Sequence, residues 1–347
     1  MEQDMEQDLG EIAGMAADER TARIILALGC APGDELAAEL VAEHGPVSLV
    51  QQIASGALHS ETMRLARWRE TVARRLDLSE ISHVLRRTQE LDLGTLIPSD
   101  PSWPAPAGNA AAPPLVLWTR GDPSVLVDRQ PRVALIGSRI GTRYGTRVTR
   151  ELATELVQRG VTIVTTGGHG IDTTALLGAL YGDGHAVAVL PRGLDRPHPS
   201  GNADVFDRLT TDGGVLVSAT PPGRSSNRTR LQVRDQLVAT LADAVVVTES
   251  SHHSPVLRIA TAAVRLGRPL GAVPGEITSP ASAGTNELLR QHLARMITHA
   301  TDAMNLLTAP RRTIPPTSTA DRSAERDLSA QPPSDHGAPS SRAWIPL

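Results

Sequence analysis

Short apolar runs alternate with helix-like stretches from residue 133 onward. Six runs qualify, and they read VALIG (133–137), VTIVTTG (161–167), AVAVLP (186–191), GVLVSA (214–219), AVVVTES (244–250) and LGAVPG (270–275). The stretches between them have helical spacing, at 143–158, 172–181, 204–211, 230–241 and 256–266. Nearly continuous Val, Ile and Leu in strands is typical of a parallel sheet covered on both faces. The alternation predicts an α/β, Rossmann-like doubly wound sheet, with a ligand site at the carboxyl ends of its strands.

Composition shifts divide the rest of the chain. We expect a disordered acidic leader over 1–10, a small helical N-terminal domain over 11–95, and a Pro/Ala-rich linker with one short strand over 96–130. The Rossmann-like domain would then occupy 131–307. Residues 308–347 are rich in Pro, Ser and Thr without apolar periodicity, which predicts a disordered C-terminal tail.

Several chemistries are excluded by residue usage. All 34 basic residues are Arg, so no P-loop lysine and no lysine Schiff base can form. Cys30 is the single cysteine, which excludes an internal disulfide and a cysteine-based zinc cluster. We therefore expect no metal and no cofactor. We recognise no run near the roughly 18 apolar residues of a membrane span and no secretory signal, so a cytoplasmic location is the expectation.

The first predicted strand ends in a turn that reads GSRIGTRYG. Gly137, Gly141 and Gly145 are spaced by four, which does not match the dinucleotide fingerprint. The Ser138 hydroxyl, the Arg139 guanidinium and the backbone amides of a strand-turn-helix suit phosphate oxygens. A tight turn with a solvated arginine is the alternative interpretation.

The second predicted strand ends in TTGGHGIDTTA. Gly167, Gly168 and Gly170 would permit close approach of the backbone, and Asp172 is positioned to cap the following helix. Parallel strands bring their carboxyl ends to one edge, so the Gly137 and Gly167 turns are expected to be adjacent. Together they predict a shared phosphate-binding cleft.

A third element is rich in arginine. GRSSNRTRLQVRDQL holds Arg224, Arg228, Arg230 and Arg234, and the last two lie four residues apart on one helix face. Such a face would follow a nucleic-acid backbone, although a solvated helix surface has the same pattern.

The ordered motifs GSR, GGxGID, AVLPRGLDRPHPSGN, GGVLVSATPPG, AVPG and SPASAGTNELL resemble the DNA-processing protein A (Smf) family over roughly 20–305. The helical N-terminus is similar to that family's sterile-alpha or helix-hairpin-helix-like region. The resemblance implies a cytoplasmic protein that binds single-stranded DNA, dimerises and helps to load a RecA-type recombinase in natural transformation. It implies no enzymatic activity, no membrane association, and phosphate contacts at Ser138, Arg139, Gly168, Gly170, Arg230 and Arg234, with Gly137, Gly167 and Asp172 as turn and cap residues.

This sequence departs from the family pattern at several of those places. Asp235 stands where Asn is usual, and Gln236 where a second Arg is usual. The segment SPVLRI at 254–259 replaces a Ser-Gly-Ser-Leu-like loop, so Pro255 and Val256 remove small polar contacts. His169 replaces an Arg of the second glycine motif.

Two other functions remain open from the sequence. The first is a nucleotide-processing hydrolase of the lysine-decarboxylase-like, phosphoribohydrolase class, which would need a carboxylate where this chain has Ala175. The second is a diverged family member that serves as a partner protein of a mobile element. The low aromatic content, 2%, weakly favours that second alternative because few side chains can stack on bases.

Overall fold

The apolar runs lie in a single sheet. The computed structural model describes residues 2–58, 62–104 and 113–309. Within those ranges nine strands are found: β1 (Gly94–Leu96), β2 (Leu117–Gly121), β3 (Arg132–Gly137), β4 (Thr162–Thr165), β5 (Ala186–Val189), β6 (Val215–Ser218), β7 (Ala244–Glu249), β8 (Leu270–Ala272) and β9 (Arg295–Met296). All six predicted runs contain a strand, and the predicted start at Val133 lies one residue inside β3.

The order across the sheet is β1-β2-β6-β5-β4-β3-β7-β8-β9. From β6 to β9 in that order, each strand runs parallel to its neighbour. Strand β2 pairs antiparallel with β6, and β1 pairs antiparallel with β2 at the edge of the sheet. The central strand β3 places Val133 beside Ile163 of β4 and Ala244 of β7. The α/β prediction of a mostly parallel, doubly wound sheet is confirmed.

Thirteen α-helices lie within the described ranges. Their bounds are α1 (Glu2–Met15), α2 (Glu19–Gly29), α3 (Glu35–His44), α4 (Pro46–Ala54), α5 (Met63–Arg75), α6 (Leu78–Glu90), α7 (Arg143–Gln158), α8 (Ile171–Tyr181), α9 (Ala203–Thr211), α10 (Arg228–Leu241), α11 (Leu257–Arg265), α12 (Ala283–Arg290) and α13 (Ala300–Leu307). Helix α7 has the predicted bounds because Thr142 caps it, its hydroxyl accepting from Gly145 N at 3.0 Å. None of these helices is long and apolar enough to cross a membrane.

Alternate residues of each central strand enter different layers of the core. In β3, Val133 and Leu135 belong to one apolar cluster, while Ala134 and Ile136 belong to the other. All four are fully buried. This is the two-sided burial that the Val-rich runs predict, because side chains of a strand point to opposite faces in turn.

The acidic leader is not disordered as predicted. Residues 2–10 belong to α1, and Leu9 and Ile12 of that helix are buried. The sequence did not predict this helix because the terminal repeat is polar. Two apolar residues one turn apart are nevertheless enough to bury one helix face against α4 and α6.

The N-terminal helices and the sheet belong to one compact unit. Arg20 of α2 forms an ion pair with Asp100 at 2.6 Å, which lowers the pKa of that carboxyl. Glu80 of α6 pairs with Arg224, and Trp118 Nε1 of β2 donates to Thr88 Oγ1 of α6 at 3.3 Å. Most of the predicted tail, from residue 310, and part of the linker, 105–112, lie outside the described residues.

Candidate nucleic-acid interface

The two glycine turns meet at the carboxyl edge of the sheet. Ile171 N donates to Ser138 O at 3.1 Å, which joins the start of α8 to the turn after β3. Gly170 has φ +73°, and a Cβ there would lie 2.5 Å from the carbonyl oxygens of both Ser138 and Arg139. Only glycine allows this approach. The expected adjacency of the Gly137 and Gly167 turns is confirmed.

Asp172 connects the two turns through hydrogen bonds of its side chain. Its carboxylate accepts from Gly137 N at 3.2 Å and from the Thr166 hydroxyl. The expectation that it caps its own helix is wrong, since the cap position is Gly170 and no side chain caps α8. Burial raises the pKa of Asp172, while the Thr166 hydrogen bond and the charge of Arg234 act in the opposite direction. The carboxyl therefore orders the backbone of both turns.

Asn202 supports the second turn. Its side-chain amide donates to Gly167 O at 3.0 Å and to Thr173 Oγ1 at 2.8 Å, and the residue is buried. Gly167 itself has φ +67°, and a Cβ would lie 2.7 Å from Leu190 Cδ2. Asn202 ends the motif AVLPRGLDRPHPSGN, and no local feature of the sequence predicts this role for it.

Glu249 supports the first turn and was missed from the sequence. This buried carboxylate at the end of β7 accepts from Thr142 N at 2.9 Å and Thr142 Oγ1 at 2.6 Å. A Cβ on Gly145 would lie 2.6 Å from Glu249 Oε2, so glycine is needed there. The only available signal was an acid at the carboxyl end of a fully buried strand, where ligand-site residues collect.

Ser138 and Arg139 occupy the exposed rim of this fixed turn. Ser138 N donates to Glu249 O at 2.9 Å, and the Ser138 hydroxyl donates to Ile140 O at 3.0 Å. The Arg139 side chain is exposed, and within the described part of the chain its guanidinium has no hydrogen bond or ion pair. The turn therefore presents a free cation on a backbone that is held by two buried carboxylates.

A cavity of about 430 Å³ opens beside the turn. Its lining residues are Thr142, Tyr144, Glu249, Pro274, Gly275, Glu276, Ser279 and Ser282. The Tyr144 hydroxyl donates to Pro274 O at 2.7 Å, which fixes the ring at the rim. Because two carboxylates line it, the cavity does not suit a phosphate, whereas the Tyr144 ring is a surface on which a base could stack.

The arginines of α10 are mostly engaged within the protein. Arg234 Nε donates to Asp235 Oδ1 at 2.8 Å and Arg234 Nη1 to Thr166 O at 3.4 Å, and only 11% of its side chain is exposed. Arg230 Nη1 donates to Ser225 O at 2.6 Å, and burial lowers the pKa of the Arg230 guanidinium. The expected open basic face is wrong for Arg234, which Asp235 and Thr166 O engage, whereas Arg230 donates to one carbonyl and its Nε has no hydrogen-bond partner among the described residues. Arg234 nevertheless reaches the second turn through Thr166.

Two departures from the family pattern, Asp235 and the SPVLRI segment, are joined by an ion pair. Asp235 is buried, and its second oxygen accepts from Arg258 Nε at 2.9 Å and Nη2 at 2.8 Å. Arg258 belongs to the SPVLRI segment that replaces the small polar loop. The carboxylate at position 235 is thus matched by a guanidinium from the altered loop, in the paired arrangement that a buried charge requires.

Within the described residues no cluster of three His, Cys, Asp or Glu side chains could hold a metal ion. The Cys30 thiol is buried in the N-terminal helices, and burial raises its pKa. The protein groups at the carboxyl edge are therefore guanidinium, hydroxyl and backbone amide groups, with carboxylates that order them.

The comparisons with known proteins agree with this fold. The family model for DNA recombination-mediator protein A matches residues 94–308. A putative DNA processing protein DprA from Mycobacterium tuberculosis H37Rv is 38% identical over 288 residues, covering 80% of this chain and 72% of the relative. Protein Smf of Escherichia coli K12 is 35% identical over 200 residues, covering 56% and 52%.

Two solved structures resemble the chain. DNA processing protein A from Streptococcus pneumoniae superposes with a TM-score of 0.68 at 22% identity, covering 81% of this chain and 95% of that one, which supports the fold. The Helicobacter pylori protein, described for its single-stranded DNA binding mode, has a TM-score of 0.55 at 28% identity and covers 62% and 95%. The family match over more than half of the sequence shows that this chain belongs to the DNA recombination-mediator protein A family.

Proposed function

We propose that this protein binds single-stranded DNA through its phosphates at the carboxyl edge of the sheet. The observation that carries the proposal is the exposed, unpaired Arg139 on a turn held by Asp172 and Glu249. A cation on a pre-ordered turn suits a phosphodiester oxygen and reads no base. Ser138, Gly168 and Gly170 shape the backbone around that phosphate. The single-stranded DNA binding described for the Helicobacter pylori relative supports the same ligand.

Binding of single-stranded DNA would then support the function of this family, which is recombination mediation. We infer that the protein acts in the cytoplasm as a homodimer, holds incoming single strands during natural transformation, and helps to load a RecA-type recombinase. Arg234 and Arg230 of α10 would add secondary basic groups. Arg234 is the nearer of the two, since its guanidinium already touches the second turn at Thr166 O.

We further propose that the protein is not an enzyme. The hydrolase alternative is not favoured, because the buried Ala175 stands where that class needs a carboxylate. Asp172 is the carboxylate closest in sequence to the second glycine turn. It already accepts hydrogen bonds from Gly137 N and from the Thr166 hydroxyl. Release of base from a nucleoside monophosphate by the purified protein, lost on mutation of the glycine turns, would restore that alternative.

The test is a fluorescence-polarisation titration with labelled oligo-dT, single- and double-stranded, at two salt concentrations. Wild-type protein should prefer the single strand. Arg139→Ala should weaken binding equally for different base sequences and reduce the salt slope by about 0.7, the value for one phosphate on a single strand. The matched control is Arg129→Ala. Arg129 is also exposed and unpaired among the described residues, but it precedes β3 and so lies at the opposite edge of the sheet. Equal effects of the two substitutions would refute the site.

A further inference from the structure

A row of arginines follows Arg139 along helix α7. Arg143, Arg147 and Arg150 are all exposed. In the described part of the chain none of their guanidinium groups takes part in a hydrogen bond or ion pair. We call these three residues the α7 arginine row. It contrasts with α10, where Arg234 is ion-paired and Arg230 donates to a carbonyl, although Arg228 at the first position of α10 is also exposed and has no hydrogen bond or ion pair among the described residues.

The row lies on one face of the helix. Steps of four and three residues keep side chains within one stripe, and four residues advance about 6 Å along the axis. The opposite face, with Leu152 and Leu156, is buried against the core. Arg139 lies four residues before Arg143, in the turn that leads into α7, so the row begins next to the phosphate turn in the chain. From there it runs along α7 towards the side of the helix that packs on Gly178 of α8.

Helix electrostatics make this placement costly without an anion. Arg143 is the first residue of α7, where the helix dipole is positive and cations are disfavoured, and the first turn holds no acidic residue. The acids of the same helix do not neutralise the row, since Glu155 pairs with Arg159 at 3.4 Å and Glu151 forms no ion pair. A bound polyanion would relieve both the dipole and the mutual repulsion.

We propose that the α7 arginine row is a second backbone-binding segment for the strand whose phosphate Arg139 holds. This rests on the proposed function and extends it: successive phosphates of one single strand lie on Arg139, Arg143, Arg147 and Arg150. The occupant is nucleic acid because the row begins four residues after Arg139 of the phosphate turn and places three exposed, unpaired cations at regular spacing. Contacts of this kind are independent of base sequence and depend on strand length.

The test compares two strand lengths with one triple variant. Arg143→Ala/Arg147→Ala/Arg150→Ala is titrated with labelled oligo-dT of about 4 and about 16 nucleotides, the range of single-strand site sizes. The short strand should bind the triple variant and the wild type alike, because Arg139 still holds it. The long strand should bind the variant more weakly, with a salt slope smaller by about 2, or 0.7 for each of three phosphates.

The control triple removes three exposed arginines outside the row. Arg74→Ala/Arg129→Ala/Arg290→Ala makes the same change in net charge, and two of these arginines are 70% and 73% exposed in local ion pairs. It should leave the slope for the long strand within about 0.7 of the wild type. An equal loss in both triples, or equal slopes in the row variant and wild type, overturns the proposal.

Failure of the proposed function gives a different result. If Arg139→Ala has no effect while the row variant loses long-strand binding, the turn assignment fails and the row stands. If the wild type binds neither strand, both fail. If polyglutamate binds the wild type but not the row variant, while oligo-dT binding is equal in the two, the face serves an acidic protein and the nucleic-acid proposal is wrong. Without DNA, the row variant should unfold at the wild-type temperature or slightly above it, because no hydrogen bond or ion pair is removed and the repulsion within the row is relieved.

Discussion

Helices α7 and α10 both carry arginines at similar spacing, but the arginines of the two helices differ in their hydrogen bonds and ion pairs. On α10, Arg234 donates to Asp235 and Arg230 to Ser225 O, while the preceding Arg224 pairs with Glu80. On α7, the arginine row extends into open surface with no partner in the described residues. The difference arises because acceptors lie within reach of the α10 arginines: Asp235 on the same helix, Ser225 O just before it, and Thr166 O at the second turn. Similar arginine patterns thus stabilise the fold on one helix and remain available to a ligand on the other.

The largest expected effect is Asp235→Ala. The substitution leaves Arg234 and Arg258 without the carboxylate that pairs them, and breaking a buried pair from one side costs about 3–5 kcal/mol. Urea unfolding measures the free-energy loss. A loss under about 1 kcal/mol would show that these α10 contacts are not structural and would remove the contrast with α7. Arg143→Ala is the matched case, with an expected change within about 0.5 kcal/mol.

The dependence of stability on pH provides a second comparison between α10 and α7. Burial raises the pKa of Asp172 above its ordinary 3.8, and the charge of Arg234 opposes that rise. A raised native pKa means that stability from this carboxyl is fully present below about 3.8 and falls as pH rises through the native value. Removing Arg234 raises the native pKa further. The destabilisation by Arg234→Ala should therefore grow as the pH rises above about 3.8, because the Asp172 carboxyl ionises.

The same pH series on Arg143→Ala supplies the comparison. That guanidinium contacts no described carboxylate, so its small stability change should be flat with pH. Urea unfolding at several pH values measures both variants. A flat series for Arg234→Ala would mean that Arg234 does not support the Asp172 carboxylate.

The smallest expected effect concerns Gln236→Arg. The half-buried Gln236 of α10 occupies the position where the family has a second arginine. Restoring it should tighten oligo-dT binding and increase the salt slope by at most about 0.7, one single-strand phosphate. An unchanged slope would mean that DNA does not reach α10 at this position and that binding is confined to the turn and α7.

The local elements were largely predictable from sequence. The bounds of α7 were predicted to the residue, because apolar spacing and the Thr142 cap specify them locally. Helix α8 begins one residue before its predicted start. Strands β1 and β9 were not predicted, since three and two residues give no periodicity. Helix α1 was missed because its apolar residues are few and its burial comes from other helices.

The candidate site was predictable only in part. The glycine turns and Arg139 carry a signal in the sequence because their backbone demands are local. The pairing of Arg224 with Glu80 joins residues 144 positions apart, and Arg258 reaches Asp235 across 23. No local pattern reports such a partner.

The sequence by itself determined that apolar strands alternate with helices, that two glycine turns end neighbouring strands, and that every strong cation is arginine. Those properties follow from side-chain volume, backbone freedom and charge type, which each residue carries alone. Only the tertiary structure decided which arginines are free. That outcome depends on which acids and carbonyl groups packing brings within hydrogen-bond reach, so Arg234 is engaged at Asp235 while Arg139 and the α7 arginine row remain open to an anion.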